Sequence, residues 1–283
     1  MKVFKKERLR VFRKLLPLCL LVSQSALADV QLSGEVIQGG LVVGKTSPNA
    51  MVLLNDRKLE VSKNGDFVFG FGRDDEQHYA LTVVEAGQKT VKQFTPKKRH
   101  YNEQRINGIK KSIMKPNPEA QARIKQDNEQ IKAAREIASS LNAFARGFIA
   151  PIDGTITGVY GSRRIFNGEP KWPHFGLDYA GDVGDPVKAP ADGTVLLYVK
   201  DMFYSGGTMI IDHGQGVSST FLHLSDAYVR VGDNVKQGDV VAAVGASGRA
   251  TGPHLDWRIN WFDTRIDPAL VLKVKPISQT SGR

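Results

Sequence analysis

Between Val30 and Phe94 the apolar residues come in short runs broken by turn formers. "GLVVGKT", "AMVLLNDRKLEV", "GDFVFGFG" and "YALTVV" are separated by Pro-Asn, Asn-Asp and Asn-Gly pairs, the punctuation of tight turns between strands. Phe67, Phe69 and Phe71 alternate, which places them on one face of a strand. The pattern predicts a small β-sandwich over 30–95, and nothing in it has catalytic spacing. A polar, basic stretch over 96–117 reads as a solvated linker. Asn117 then offers an N-cap with Pro118 at the first helical position. Ile124, Ile131, Ala134, Ala138, Leu141 and Ala145 step by seven, three, four, three and four, a heptad-like seam. It predicts a helix over 118–146 that packs on the neighbouring domain or docks a protein partner. From Ile149 the texture turns to glycine-rich, valine-rich strands, so 149–275 reads as a second, mainly β domain.

The N-terminus changes how the charge is read. Seven Lys and Arg residues against the single Glu7 precede the apolar run "LLPLCLLV" and an A-x-A site at Ala26 and Ala28. This predicts a cleavable export signal over 1–28, with an apolar run too short to span a bilayer. The chain's net charge of +10 falls to +4 once that segment is set aside. A modest positive charge suits an anionic envelope polymer and gives no case for nucleic acid. The only cysteine, Cys19, lies in the signal, so beyond it disulfides, thiolate metal sites and a cysteine nucleophile are excluded.

Candidate chemistry gathers in the second domain, which holds four of the six histidines: His174, His213, His223 and His254. "WPHFGLD" sets His174 and Asp178 with three residues between them in a turn or strand end, since Pro173 and Gly176 disfavour a helix. "STFLHLS" puts His223 on the strand face of Phe221. "TGPHLDWRIN" sorts by parity, with Leu255, Trp257 and Ile259 on one face and His254, Asp256, Arg258 and Asn260 on the other. Together these groups suit a catalytic zinc ion. Three imidazole or carboxylate ligands would leave a position for water, and further imidazoles would handle its proton. His213, in "DHGQG", reads as a structural turn histidine.

These segments resemble the lysostaphin/LytM-type zinc metallopeptidases, which cut peptide bonds in bacterial peptidoglycan. The resemblance runs from about Gly154 to Leu272. It is carried by "HFGLDYAGDVGDPVKAPADGTV", "MIIDHGQGVSSTFLHLS" and "VGDNVKQGDVVAAVGASGRATGP", with "YGSRR" upstream. The resemblance implies a two-layer antiparallel β-sheet with a groove for a peptide. It assigns His174 and Asp178 as zinc ligands, His223 and His254 as catalytic histidines, and Arg163 as a candidate substrate contact. The family's last motif is histidine-x-histidine, whereas this chain reads His254-Leu255-Asp256, which puts Asp256 in the third ligand's place. Three readings of Asp256 stand: a substitute zinc ligand, a partner of Arg258 in an inactive site, or part of a site for another metal. The 30–95 module weakly resembles bacterial immunoglobulin-like domains. The expectation is a periplasmic zinc endopeptidase acting on peptidoglycan, with release to the medium as the other destination. The alternative is a catalytically inactive peptidoglycan-binding or amidase-activating envelope module, with the 118–146 helix contacting the envelope partner.

Overall fold

The computed structural model describes residues 30–107 and 117–278, so the expected signal and part of the 96–117 stretch lie outside the described residues. In the N-terminal part, Gln31–Ser33, Leu41–Lys45 and Asp66–Gly70 form a three-stranded antiparallel sheet. Arg57–Leu59, Met51–Leu54, Tyr79–Glu85 and Gln88–Phe94 form a four-stranded one. The Phe alternation joins them: Phe69 stacks on Phe94 at 5.8 Å between centroids, and Phe71 meets Tyr79 at 5.2 Å. Gly70 turns the other way, towards the C-terminal domain. A Cβ there would lie 2.5 Å from the end of the Ile266 side chain, which a larger residue would have to push aside. The Arg99–Asp267 ion pair at 2.8 Å and an Asp267 N–H bond to the Gly39 carbonyl tie the same junction.

Two expectations are corrected. The 96–117 stretch is not all linker, because Glu103–Ile106 forms a strand parallel to Arg163–Phe166. The exposed, polar Glu103, Gln104 and Arg105 hide the pairing, which is made by backbone groups along the edge of a hairpin. The helix starts where expected, with the Asn117 side chain accepting from the Ala120 N–H, but it spans Pro118–Glu136 and not 118–146. Ile137 is already extended, because the next residues bond elsewhere. The Ser139 carbonyl accepts from Gln215 N–H at 2.8 Å, and the Ser139 hydroxyl bonds the Asp212 carboxylate. Ala143–Arg146 is only a short 3-10 turn, so the later seam residues lie off the helix.

The C-terminal domain is built on an eight-stranded sheet in which every pairing is antiparallel. At its centre Gly206–Gly214, Val217–Leu224 and His254–Trp261 run side by side, and Leu177–Ala180 pairs on the far side of the last of these. A smaller sheet of Pro186–Lys188, Val240–Ala243 and Asp226–Ala227 completes the domain. The parity read from "TGPHLDWRIN" holds: Leu255, Trp257 and Ile259 are fully buried on the apolar face. Phe221 lies directly across from Trp257, and truncating a buried aromatic of this kind costs about 3–5 kcal/mol. The polar face thus rests on a rigid floor. The fold is mainly β, with small N-terminal sheets, one helix of any length among the described residues, and a large antiparallel sheet.

Candidate metal centre

Strand register brings the site together. Asp178 lies directly across from Asp256 where Leu177–Ala180 pairs with His254–Trp261, so the two carboxylates share the polar face. His174 precedes the first of these strands and returns over it. One ligand atom each from His174, Asp178 and Asp256 falls within 4.8 Å of the others, the spacing a single metal ion requires. His174 Nε2 lies 3.1 Å from Asp178 Oδ1, yet the two are not aligned as a hydrogen bond. Both atoms are inaccessible to solvent and have no hydrogen-bond partner. Buried polar atoms are seldom left so, and two of them side by side fit a cation between them. Two glycines clear the space: a Cβ on Gly158 would sit 2.1 Å from Asp178 Oδ2, and one on Gly176 would sit 2.0 Å from Asp256 Oδ1. The donor set, one imidazole and two carboxylates with no thiolate, suits zinc.

Asp256 differs from Asp178 in having a partner. Arg258, two residues on along the same strand face, donates from Nε to both carboxylate oxygens at 3.0 and 3.1 Å and from Nη2 to Oδ2 at 2.6 Å. Burial alone would push the Asp256 carboxyl up, but the guanidinium more than offsets this and holds it below the ordinary carboxylate range. Arg258 in turn is held above its ordinary value by Asp256, against the pull of burial.

His223 and His254 stand beside these groups with ring centroids 4.7 Å apart. The sequence parity placed His223 with Phe221 on the apolar face, and the structure corrects this. The pairing of Val217–Leu224 with Gly206–Gly214 shifts register just before His223, whose φ of 63° lies in the left-handed region. That bulge turns the imidazole to the polar face. A bulky residue at such a φ costs on the order of 1 kcal/mol, and strain of this kind clusters at functional sites. His223 Nδ1 lies 2.8 Å from the Ser247 carbonyl, and His254 Nδ1 lies 2.9 Å from the Gly252 carbonyl. A carbonyl only accepts, so each Nδ1 carries a proton, and in the neutral tautomer this leaves Nε2 as the base. Burial, more than any other influence, pushes the His223 imidazole below its ordinary value, which keeps it neutral near pH 7.

The remaining candidates divide. Arg163 is bonded to Glu103, Nε at 3.0 Å, so its guanidinium is engaged by the added strand. His213 lies within the strand Gly206–Gly214 and not in a turn. It is fully buried, with Nδ1 on the Asp192 carbonyl and Nε2 on the Ser219 hydroxyl, each at 2.8 Å. The sequence reading did not single out Gly158, Gly176 or the carbonyls of Ser247 and Gly252. Gly176 is visible between His174 and Asp178 and reads only as a helix breaker, whereas Gly158 meets Asp178 through strand pairing and the carbonyls have no side-chain signal at all.

The chain is similar to known proteins over this domain. Residues 172–268 match the profile of Peptidase family M23. A peptidoglycan DD-endopeptidase of Vibrio cholerae, ShyB, is 39% identical over 87 residues, 31% of this chain and 20% of that protein. A DD-carboxypeptidase/endopeptidase of Neisseria meningitidis, Mpg, is 37% identical over 103 residues, 36% of this chain and 24% of that protein. These matches therefore span about a fifth to a quarter of the relatives' length. Over most of the fold the chain is similar to a Pseudomonas aeruginosa structure assigned to peptidase M23. That similarity has a TM-score of 0.63 and 29% identity, covering 84% of this chain and 96% of the other. On the profile match and the fold, residues 172–268 form a domain of the peptidase family M23 type.

Proposed function

We propose that the protein is a zinc endopeptidase that cleaves stem or crosslink peptides of peptidoglycan. The observation that carries this reading is the pair of buried, unpartnered atoms, His174 Nε2 and Asp178 Oδ1, converging with Asp256 beside two histidines. His174, Asp178 and Asp256 would hold the ion. Zinc bound there would supply Lewis acidity, polarising the scissile carbonyl and bringing the pKa of water toward about 7. The chain's own residues do the rest. His223 and His254, each donating Nδ1–H to a backbone carbonyl, present Nε2 to take a proton from the attacking water and return it to the leaving amine. The imidazolium so formed sits where it can steady the developing oxyanion. The expected signal over 1–28 and the peptidoglycan substrate named for the Vibrio relative support action in the periplasm.

A second reading has its own observation. Because Asp256 already holds Arg258, the chain could be a non-catalytic module that binds peptidoglycan or activates an amidase. Purified cell wall separates the two. The enzyme releases new amino groups in the presence of zinc, and His254→Ala loses about 10²–10⁴-fold of that rate while staying folded and zinc-loaded. If the wild type releases no amino groups with zinc supplied, the non-catalytic reading takes its place.

A further inference from the structure

We propose that Arg258 is a positioning residue of the metal site, a built-in counter-ion that lets a carboxylate, Asp256, serve where a histidine would otherwise ligate. This rests on the metallopeptidase reading above.

Charge is the first reason. A neutral His174 with two ionised carboxylates gives the ligand set a charge of −2, and Arg258 brings the site to −1. A set of two histidines and one aspartate also has −1. The aspartate and arginine together therefore reproduce the electrostatics of the neutral ligand they replace. Geometry is the second reason. The guanidinium grips the carboxylate through three N–H contacts of 2.6–3.1 Å, a fork that fixes the plane of the carboxylate. Each oxygen keeps lone-pair capacity beyond this fork, and one of them is within 4.8 Å of the His174 and Asp178 ligand atoms. The Asp256 side chain is 4% exposed, so water could not substitute for the arginine.

Room for the pair is the third reason. Gly176, the neighbour of the His174 turn, stands against both members: an added Cβ would lie 2.0 Å from Asp256 Oδ1 and 3.0 Å from Arg258 Cγ. Two other arginines, Arg135 and Arg265, stand close enough to feel the charge of Arg258. Arg135 bonds the Thr220 hydroxyl and Arg265 bonds Asn260 Oδ1. Among the described residues, Arg258 is the arginine bonded to a ligand candidate. It follows that Asp256 and Arg258 function only as a unit. Losing the arginine leaves a buried, mobile carboxylate beside Asp178. Losing the aspartate leaves an unpaired cation facing the incoming ion.

The test is a double-mutant cycle on zinc affinity, measured on the full chain by competition with a chromophoric chelator. Near-ultraviolet circular dichroism monitors the fold. Arg258→Met and Asp256→His should each weaken zinc binding by about tenfold or more, the range seen when groups that orient a ligand are removed. The double substitution should return to within about threefold of wild type, because neutral ligand and missing cation compensate. Arg258→Lys keeps the charge but not the fork, so it should fall between wild type and Arg258→Met. If Arg258→Met has no effect, or weakens zinc by the same factor in the Asp256→His background, Arg258 is only a structural partner and the proposal is overturned. A wild-type protein that binds no zinc would instead overturn the metallopeptidase reading beneath it.

Discussion

The two faces of the central sheet use the same residue types to opposite ends. On the apolar face His213 has both nitrogens occupied, by the Asp192 carbonyl and the Ser219 hydroxyl, and Trp257 Nε1 bonds the same hydroxyl at 3.2 Å. On the polar face His223 and His254 each have one nitrogen held by a carbonyl and the other left open. His174 and Asp178 go further, with buried atoms that have no hydrogen-bond partner. The difference shows that composition does not mark a site, since a histidine is found on either face. Unfilled bonding capacity does. Asp256 belongs to both classes, because it lies on the open face yet is filled by Arg258.

That contrast can be broken by substitution. The largest effect expected in the open class follows Asp178→Asn, which removes an anionic ligand atom that accepts no hydrogen bond. Zinc affinity should drop by more than about 100-fold, beyond the loss typical of an orienting group, while unfolding of the metal-free protein by urea stays within about 0.5 kcal/mol of wild type. A large loss of metal-free stability would show that Asp178 is filled after all. Asp256→Asn should behave in the opposite way. It strands the Arg258 guanidinium, and the metal-free protein should lose on the order of 3 kcal/mol in the same urea titration.

The filled histidine supplies the smallest contrast, a dependence on pH. Burial pushes His213 down to about 4, below the ordinary value of an unfolded chain. Between those values the unfolded chain binds the extra proton, so folding stability rises with pH across this window. Its contribution is complete above about pH 6.5 and is lost as pH falls towards 4, a change of up to about 3 kcal/mol. Urea unfolding at pH 7 and pH 5 should show part of this loss, and His213→Gln should flatten it. An unchanged slope in that variant would mean that His213 is not the group responsible.

Much of this was legible from the residues, and the misses share a cause. Parity correctly separated Leu255, Trp257 and Ile259 from His254, Asp256 and Arg258, because an unbroken strand alternates without exception. The same rule failed at His223, where a bulge with a left-handed residue reverses the face, and no local residue type announces it. The Asn117 cap marked the helix start, since capping is local. The end at Glu136 was not legible, because Ser139 leaves the helix for bonds with Asp212 and Gln215 far along the chain. Asp178 and Asp256 each stood out in sequence, but their facing register is a long-range property of strand pairing. The tautomers of His223 and His254 depend on backbone carbonyls that carry no side-chain signature.

The central claim is that His174, Asp178 and Asp256 together hold one zinc ion, with Asp256 ligating while bound to Arg258. Crystals of the zinc-loaded protein, measured at the zinc absorption edge, test it directly. The account predicts one anomalous peak per chain, with an Asp256 oxygen at about 2.0–2.2 Å and the Arg258 fork intact. A peak contacted by His174 and Asp178 alone, or no peak in protein soaked with zinc, would contradict it.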